Sequence, residues 1–337
     1  MKIIDRIKNW KSLNFLFKSL VFLVILFLLD FGIGNFLKYW YFKQYSGYLY
    51  RTTYAIDSTQ AGIVIFGSST ANHQYIPDIF EKRLHISCYN TGRDGNSIFF
   101  HYAILEGILK RYVPKIVILT FDEEDFRKVQ QSYDRITSLL PYYDSHPEFR
   151  PIIQLKSPFE KYKLLSKIYP YNSLIFAIGA GNAEFNQHRE YINDDNGYVP
   201  LRETWKGKLG YDTSSSKYEL DYNTIKYFKA FTKACFDSKI KLYIFYSPKY
   251  IRYKYEDQSI RIAKNIAKHN DIPFYEFTNN PYFLERRDLY ADPGHLNEPG
   301  AKIYTQMVID KIIQNEEQSR PTSDSILPLN KYLSIRK

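Results

Sequence analysis

The chain has 337 residues, of which 45% are hydrophobic, and carries a formal charge of +10. That length accommodates an anchor plus one α/β domain with an insertion, and the apolar share suffices for a sizeable core. The basic balance comes without a dense Lys/Arg run or a nucleic-acid motif, so it reads as scattered surface charge, with affinity for an acidic polymer as the alternative.

The first element is an apolar run. Ser19 to Leu37 contains one charged residue, Asp30. As a helix it would be roughly 28 Å long, close to the hydrocarbon thickness of a bilayer. Lys2, Arg6, Lys8, Lys11 and Lys18 precede it, and Tyr39, Trp40 and Tyr41 follow it. That pattern predicts a cytoplasmic segment 1–18, a transmembrane anchor 19–37 and an exported remainder, placing the chain as a single-pass protein of the cytoplasmic membrane with a periplasmic domain. A cleaved signal peptide is the competing reading, but Asn35-Phe36-Leu37-Lys38-Tyr39 is too bulky for a small-x-small cleavage site. Asp30 is expected within reach of the headgroups or of a partner helix. Residues 38–60 read as a juxtamembrane linker.

From there strands and helices alternate. Gly62–Phe66, Ile86–Asn90 and Lys115–Phe121 are short apolar runs of the kind buried on both faces. Ser97–Arg111 between them has helical spacing. Strands at Leu242–Tyr246 and Pro273–Phe277 flank a helix at Ser259–Lys268. A last helix over about Glu298–Gln314 has Asn297 as N-cap, Pro299 in its first turn, and Ala301, Tyr304, Val308 and Ile312 as its buried stripe. This predicts a mostly parallel, doubly wound sheet spanning 61–315. Residues 129–221 break the alternation and read as a lid-like insertion on the carboxyl rim of the sheet. Residues 316–337 form a polar tail. Cys88 and Cys235 fall in a strand and a helix and read as buried thiols. Without CxxC, and with the seven histidines dispersed, no metal or cofactor site is expected.

Three segments carry chemistry. Gly67-Ser68-Ser69-Thr70 directly follows the first strand, where open α/β sheets bind ligands. Asn90-Thr91-Gly92-Arg93-Asp94-Gly95-Asn96-Ser97 follows the second, and its glycines let backbone amides face a developing oxyanion. Asp292-Pro293-Gly294-His295 makes a turn before the last helix. There the carboxylate can orient the imidazole, leaving Nε2 free to take a proton from a serine.

In this order and placement the three segments resemble the SGNH (GDSL-like) hydrolase superfamily, over about 62–128 and 222–315. The resemblance implies a flavodoxin-like three-layer α/β/α fold and a triad of Ser69, His295 and Asp292. It also implies an oxyanion hole from the amides of Ser69 and Gly95. The family's third block supplies an Asn to that hole, but the corresponding slot after the third strand holds Asp122. An ionised carboxylate cannot donate. Either Asp122 is protonated, or Asn96 or Asn72 substitutes, or the hole has two donors, or the acids orient a substrate hydroxyl or cap a helix. The resemblance extends to exported serine esterases and O-acyltransferases that act on envelope or capsular polysaccharide beside a multi-span membrane acyltransferase. The alternative is a catalytically weak carbohydrate-binding or assembly module of the same fold.

Overall fold

The computed structural model describes residues 2–183, 196–214 and 217–318, with side chains from Leu13 onward. Chain order begins with α1 (Lys2–Phe42), α2 (Gly47–Asp57), β1 (Ile63–Phe66), α3 (Ser69–Gln74), α4 (Pro77–Leu84), β2 (Cys88–Asn90), α5 (Ile98–Leu109) and β3 (Ile116–Thr120). A helical stretch follows, with α6 (Gln130–Asp134), α7 (Arg150–Ile153), α8 (Glu160–Lys163) and α9 (Ile175–Asn182). The chain returns through β4 (Gly210–Asp212), α10 (Tyr222–Asp237), β5 (Lys241–Tyr246), β6 (Ile251–Tyr253), α11 (Gln258–His269) and β7 (Phe274–Glu276). It closes with α12 (Pro281–Leu284), β8 (Tyr290–Asp292), β9 (His295–Leu296) and α13 (Glu298–Gln318).

The central sheet has five strands in the order β2-β1-β3-β5-β7, and every pair is parallel. Connections from β1 run outward in one direction to β2 and in the other through β3, the doubly wound pattern with its switch point between these strands. All five expected strands form, four trimmed by a residue or two at their ends and β5 longer by Lys241. Successive side chains on a strand point to opposite faces, so the apolar runs feed two cores. Val64, Phe66, Val117, Leu119 and Ile244 pack with α2, α5, α10 and α11. Ile63, Ile65, Ile116, Ile118 and Phe245 pack with α3, α4, α12 and α13. Each such side chain, once buried, contributes about 1.5–3 kcal/mol. Cys88 and Cys235 are free and buried, one in each core.

The last helix starts as expected, with Asn297 Oδ1 accepting from the Gly300 amide at 3.1 Å. It runs on to Gln318, because Glu316 accepts from the Tyr243 hydroxyl at 2.7 Å and pairs with Lys241. The expected tail thus begins as helix, and its residues from 319 lie outside the described part.

The reading of residues 38–60 as a linker is corrected. α1 continues to Phe42, and 47–57 form α2, whose Leu49, Thr52, Ala55 and Ile56 face the core. Arg111 locks its carboxyl end, donating to the carbonyls of Ala55, Ile56 and Thr59. α1 itself is one helix whose stretch Leu13–Phe42 is long and apolar enough to cross a membrane. Its side chains are exposed over 13–33 except at Ser19 and Asp30, which are partly covered, whereas Gly34, Leu37 and Tyr41 are buried against the protein. The insertion 129–221 also differs from a simple lid. Its described helices pack along α1, α2 and α5, and residues 196–205 cross the rim beside α3 and α13.

His101 lies on the buried stripe of α5, 3% exposed, and burial holds its pKa down, to about 4. Between about pH 6.5 and 4 the unfolded chain therefore binds a proton here that the folded chain does not. Stability should fall across that window as pH falls, by roughly 3 kcal/mol. Denaturant unfolding of His101→Gln should show that much less acid sensitivity over the same interval; an unchanged slope would assign the titration elsewhere.

Candidate active site

Ser69 is the first residue of α3, directly after the turn that leaves β1. Gly67 in that turn has φ +145°, and a Cβ there would come within 1.9 Å of Thr120 Oγ1, so only glycine fits between β1 and β3. At the other end of the chain, β8 and β9 form a two-stranded ladder in which Asp292 pairs with His295 across a tight turn. The turn is pinned by Gly294 N–H donating to Asp292 Oδ1 at 2.7 Å and by Tyr250 N–H donating to Pro293 O at 2.8 Å.

These two segments meet. His295 Nε2 lies 2.7 Å from Ser69 Oγ, and His295 Nδ1 lies 2.9 Å from both carboxylate oxygens of Asp292. A carboxylate at Nδ1 fixes the tautomer with the proton on Nδ1 and leaves the Nε2 lone pair toward the hydroxyl. Partial burial would push the Asp292 carboxyl up, but its bonds to His295 and the local amides hold it below the usual carboxylate range. It is thus an anion wherever the imidazole would need one.

Two backbone amides are the expected oxyanion donors. The Ser69 amide is the first of α3 and has no intrahelical acceptor. Gly95 sits in the loop after β2 with φ +67°, and its amide donates to no described residue. Asn72 Nδ2 donates to Asp94 Oδ1 at 2.8 Å and Asn96 Nδ2 to Asp94 O at 3.3 Å, so each has one further amide hydrogen.

Asp122 is not placed as a donor. Its Oδ2 accepts from Ser68 Oγ at 3.2 Å and Thr70 Oγ1 at 2.8 Å, one residue on either side of Ser69. Its Oδ1 lies 3.3 Å from Lys249 Nζ. Lys249 also binds Glu123 at 2.6 Å, and the Tyr246 and Tyr253 hydroxyls donate to the same carboxylate. Burial alone would raise Glu123, yet Lys249 and Tyr246 keep it below the usual range. Asp125, partly exposed beside the Asp122 carboxylate, is raised well above its ordinary value by desolvation and then by that neighbouring charge. Asp122, Glu123 and Lys249 therefore form a largely buried ionic mount beneath the serine turn.

Two groups here carried no role in the sequence reading. His73, one helical turn after Ser69, has Nδ1 2.7 Å from Val199 O and Nε2 3.2 Å from Asp94 Oδ2. Both ring nitrogens thus face oxygen atoms of the surrounding protein. Desolvation would raise Asp94, but His73 and then Asn72 carry it down to about 2. The His73 and His295 rings meet edge to face at 5.8 Å. The i, i+4 spacing of Ser69 and His73 was the available signal.

Beside this pair opens a cleft of about 870 Å³ lined by Asn72, His73, Asp94 and Asn96, by Arg51, Arg93 and Arg135, and by Leu174 and Ala177 of the insertion. Arg93 is held over the Tyr48 and Phe100 rings and donates to Thr52 Oγ1 at 2.7 Å. Among the described residues neither Arg93 nor Arg135 has a carboxylate partner.

No protein-family model matches this chain, and no curated protein sequence matches it.

Glu123→Ala would leave Lys249 buried with one carboxylate instead of two and strand two phenolic hydroxyls. Denaturant unfolding should register a loss of about 3–5 kcal/mol. A loss under about 1 kcal/mol, the value of an exposed pair, would refute the buried mount.

Proposed function

We propose that this chain is an SGNH-type serine esterase or O-acyltransferase, tethered by α1 to the cytoplasmic membrane with its α/β domain on the outer face. The observation that carries the reading is the continuous Ser69–His295–Asp292 hydrogen-bond chain, with contacts of 2.7 and 2.9 Å, assembled from residues 226 apart in sequence. Ser69 Oγ attacks an acyl carbonyl while His295 Nε2 takes its proton. The Ser69 and Gly95 amides receive the oxyanion, a term worth about 3–4 kcal/mol for a single donor. His295 then protonates the departing alcohol or carrier oxygen, leaving an acyl-serine. In the second half His295 removes a proton from the acceptor hydroxyl, which takes the acyl group and frees Ser69.

The cleft supports a sugar polymer as that acceptor. Asp94, with its side chain 58% exposed, and Asn96 are suited to sugar hydroxyls. Arg93 and Arg135 are suited to acidic substituents, because a guanidinium without a protein carboxylate can bind one from the ligand in bidentate fashion. The acyl group, in this reading most simply acetyl, would be handed over by a multi-span membrane acyltransferase, and tethering raises its effective concentration at the membrane. Hydrolysis and transfer share the first half-reaction.

A second reading draws support from Asp122. The slot that supplies a third oxyanion donor in the resembled family is here occupied by a carboxylate bound to Ser68, Thr70 and Lys249. A weakly catalytic carbohydrate-binding module would look the same there.

The full chain in detergent should turn over p-nitrophenyl acetate and take a fluorophosphonate label at Ser69. Ser69→Ala should abolish labelling and lower turnover by about 10⁴-fold or more with the fold intact by circular dichroism. Absent labelling of the unmodified chain would favour the binding module; turnover unchanged by the substitution would reject the triad.

A further inference from the structure

Exposed large apolar side chains are unevenly distributed. Outside α1, the described residues 159–176 carry five of them: Phe159 at 64%, Tyr162, Leu165 at 76%, Ile175 and Phe176 at 93%. No other described stretch of that length outside α1 has more than two. The alternation is built in. Glu160 and Leu164 turn inward, where the fully buried Glu160 carboxylate accepts from Lys163 at 2.8 Å and from Tyr169 at 2.7 Å. Phe159, Tyr162 and Leu165, spaced by three, are thereby turned out.

A patch of this kind on a soluble monomer marks an interaction surface. Its position identifies the partner. Asp30 of α1 accepts from Ser166 Oγ at 2.5 Å, from the Lys167 amide at 2.7 Å and from the Ile168 amide at 3.3 Å. One turn on, Gly34 lies against the Lys167 backbone, where a Cβ would come within 2.3 Å of the carbonyl carbon. Tyr171 packs on Tyr41 at 5.6 Å, and Asn182 Nδ2 donates to Trp40 O at 2.9 Å. Residues 157–182 are thus clamped along one side of α1 from Asp30 to Trp40.

α1 is bare over residues 13–33, apart from the partly covered Ser19 and Asp30. That is a length of roughly 31 Å, the thickness of a hydrocarbon core. Asp30 lies about 5 Å short of the Ile33 end of that length. The clamp therefore fixes the apolar patch at the level where a bilayer spanned by α1 would end. Aromatic and aliphatic side chains flanked by lysines suit that boundary. Lys161, over the Tyr162 ring at 4.9 Å, supplies such a cation.

We propose that residues 157–182 form an interfacial collar, with Phe159, Leu165, Ile175 and Phe176 lying in the headgroup–acyl boundary of the membrane that α1 crosses. The inference rests on the membrane-anchor reading above and not on the catalytic one. The collar sets the height of the substrate cleft. Leu174 and Ala177 of the collar line that cleft, so it opens beside the bilayer and not at the end of a flexible tether.

The test uses the full chain in vesicles of phosphatidylethanolamine and phosphatidylglycerol, with Cys88 and Cys235 replaced by Ala. A nitroxide is attached to a single cysteine in Leu23→Cys, Leu165→Cys, Phe176→Cys or Phe236→Cys. Phe236, on α10, is 77% exposed and serves as the aqueous reference. Collision with dissolved oxygen and with a water-soluble nickel chelate is measured by electron paramagnetic resonance. Labels at 23, 165 and 176 should favour oxygen, and the label at 236 should favour nickel. Oxygen preference at 23 with nickel preference at 165 and 176 would overturn the collar and leave the anchor standing. Nickel preference at 23 would overturn the anchor, and the collar with it.

Discussion

The pairing of β1 with β3 is the constraint on which the site depends. Its register brings Phe66 opposite Leu119, so the chain leaves β1 at Gly67 directly against Thr120. With no room for a side chain at that crossing, the backbone turns at once into α3, and Ser69 becomes its first residue. Asp122, two residues past the crossing, then reaches both neighbours of the serine. A shift of one residue in the pairing would turn every apolar side chain of β1 to the opposite core and detach Ser68 and Thr70 from their acceptor.

The mount beneath the serine shows how such a site is held. A desolvated ion pair is weak as a source of stability but strongly resists losing one partner. Lys249 between Asp122 and Glu123, with two tyrosine hydroxyls donating to Glu123, gives the turn one satisfied arrangement. On the opposite side His73 bridges Val199 and Asp94, tying the returning insertion to α3. The serine is thereby fixed through its flanking residues, and among the described residues its own hydroxyl engages only His295.

Much of this was legible in the sequence where local patterns carry it. β-branched and aromatic runs bounded by turn residues marked the five strands, and the Ser, Gly and Asp-x-x-His segments stood out because each lies at an element end. The rest depends on contacts between distant residues. Asp122 and Lys249 are separated by more than a hundred positions, and nothing near either announces the other. α2 was hidden because its buried face mixes Thr52 with Leu49, Ala55 and Ile56, a weak apolar stripe stabilised by Arg111 from α5's far end. Asp30 read as a charge within reach of the headgroups or of a partner helix, whereas its hydrogen-bond donors come from residues 166–168.

α1 belongs to two environments at once. Its described side chains from Leu13 to Ile33 are exposed apart from Ser19 and Asp30, while Leu37 and Tyr41 are core residues, 7% and 1% exposed. The part of α1 from Asp30 onward is therefore part of the folded domain. A cut that freed the domain at the level of Asp30 would unfasten the 166–168 turn, and one placed beyond Tyr41 would leave a cavity where that ring meets Tyr142 and Tyr171.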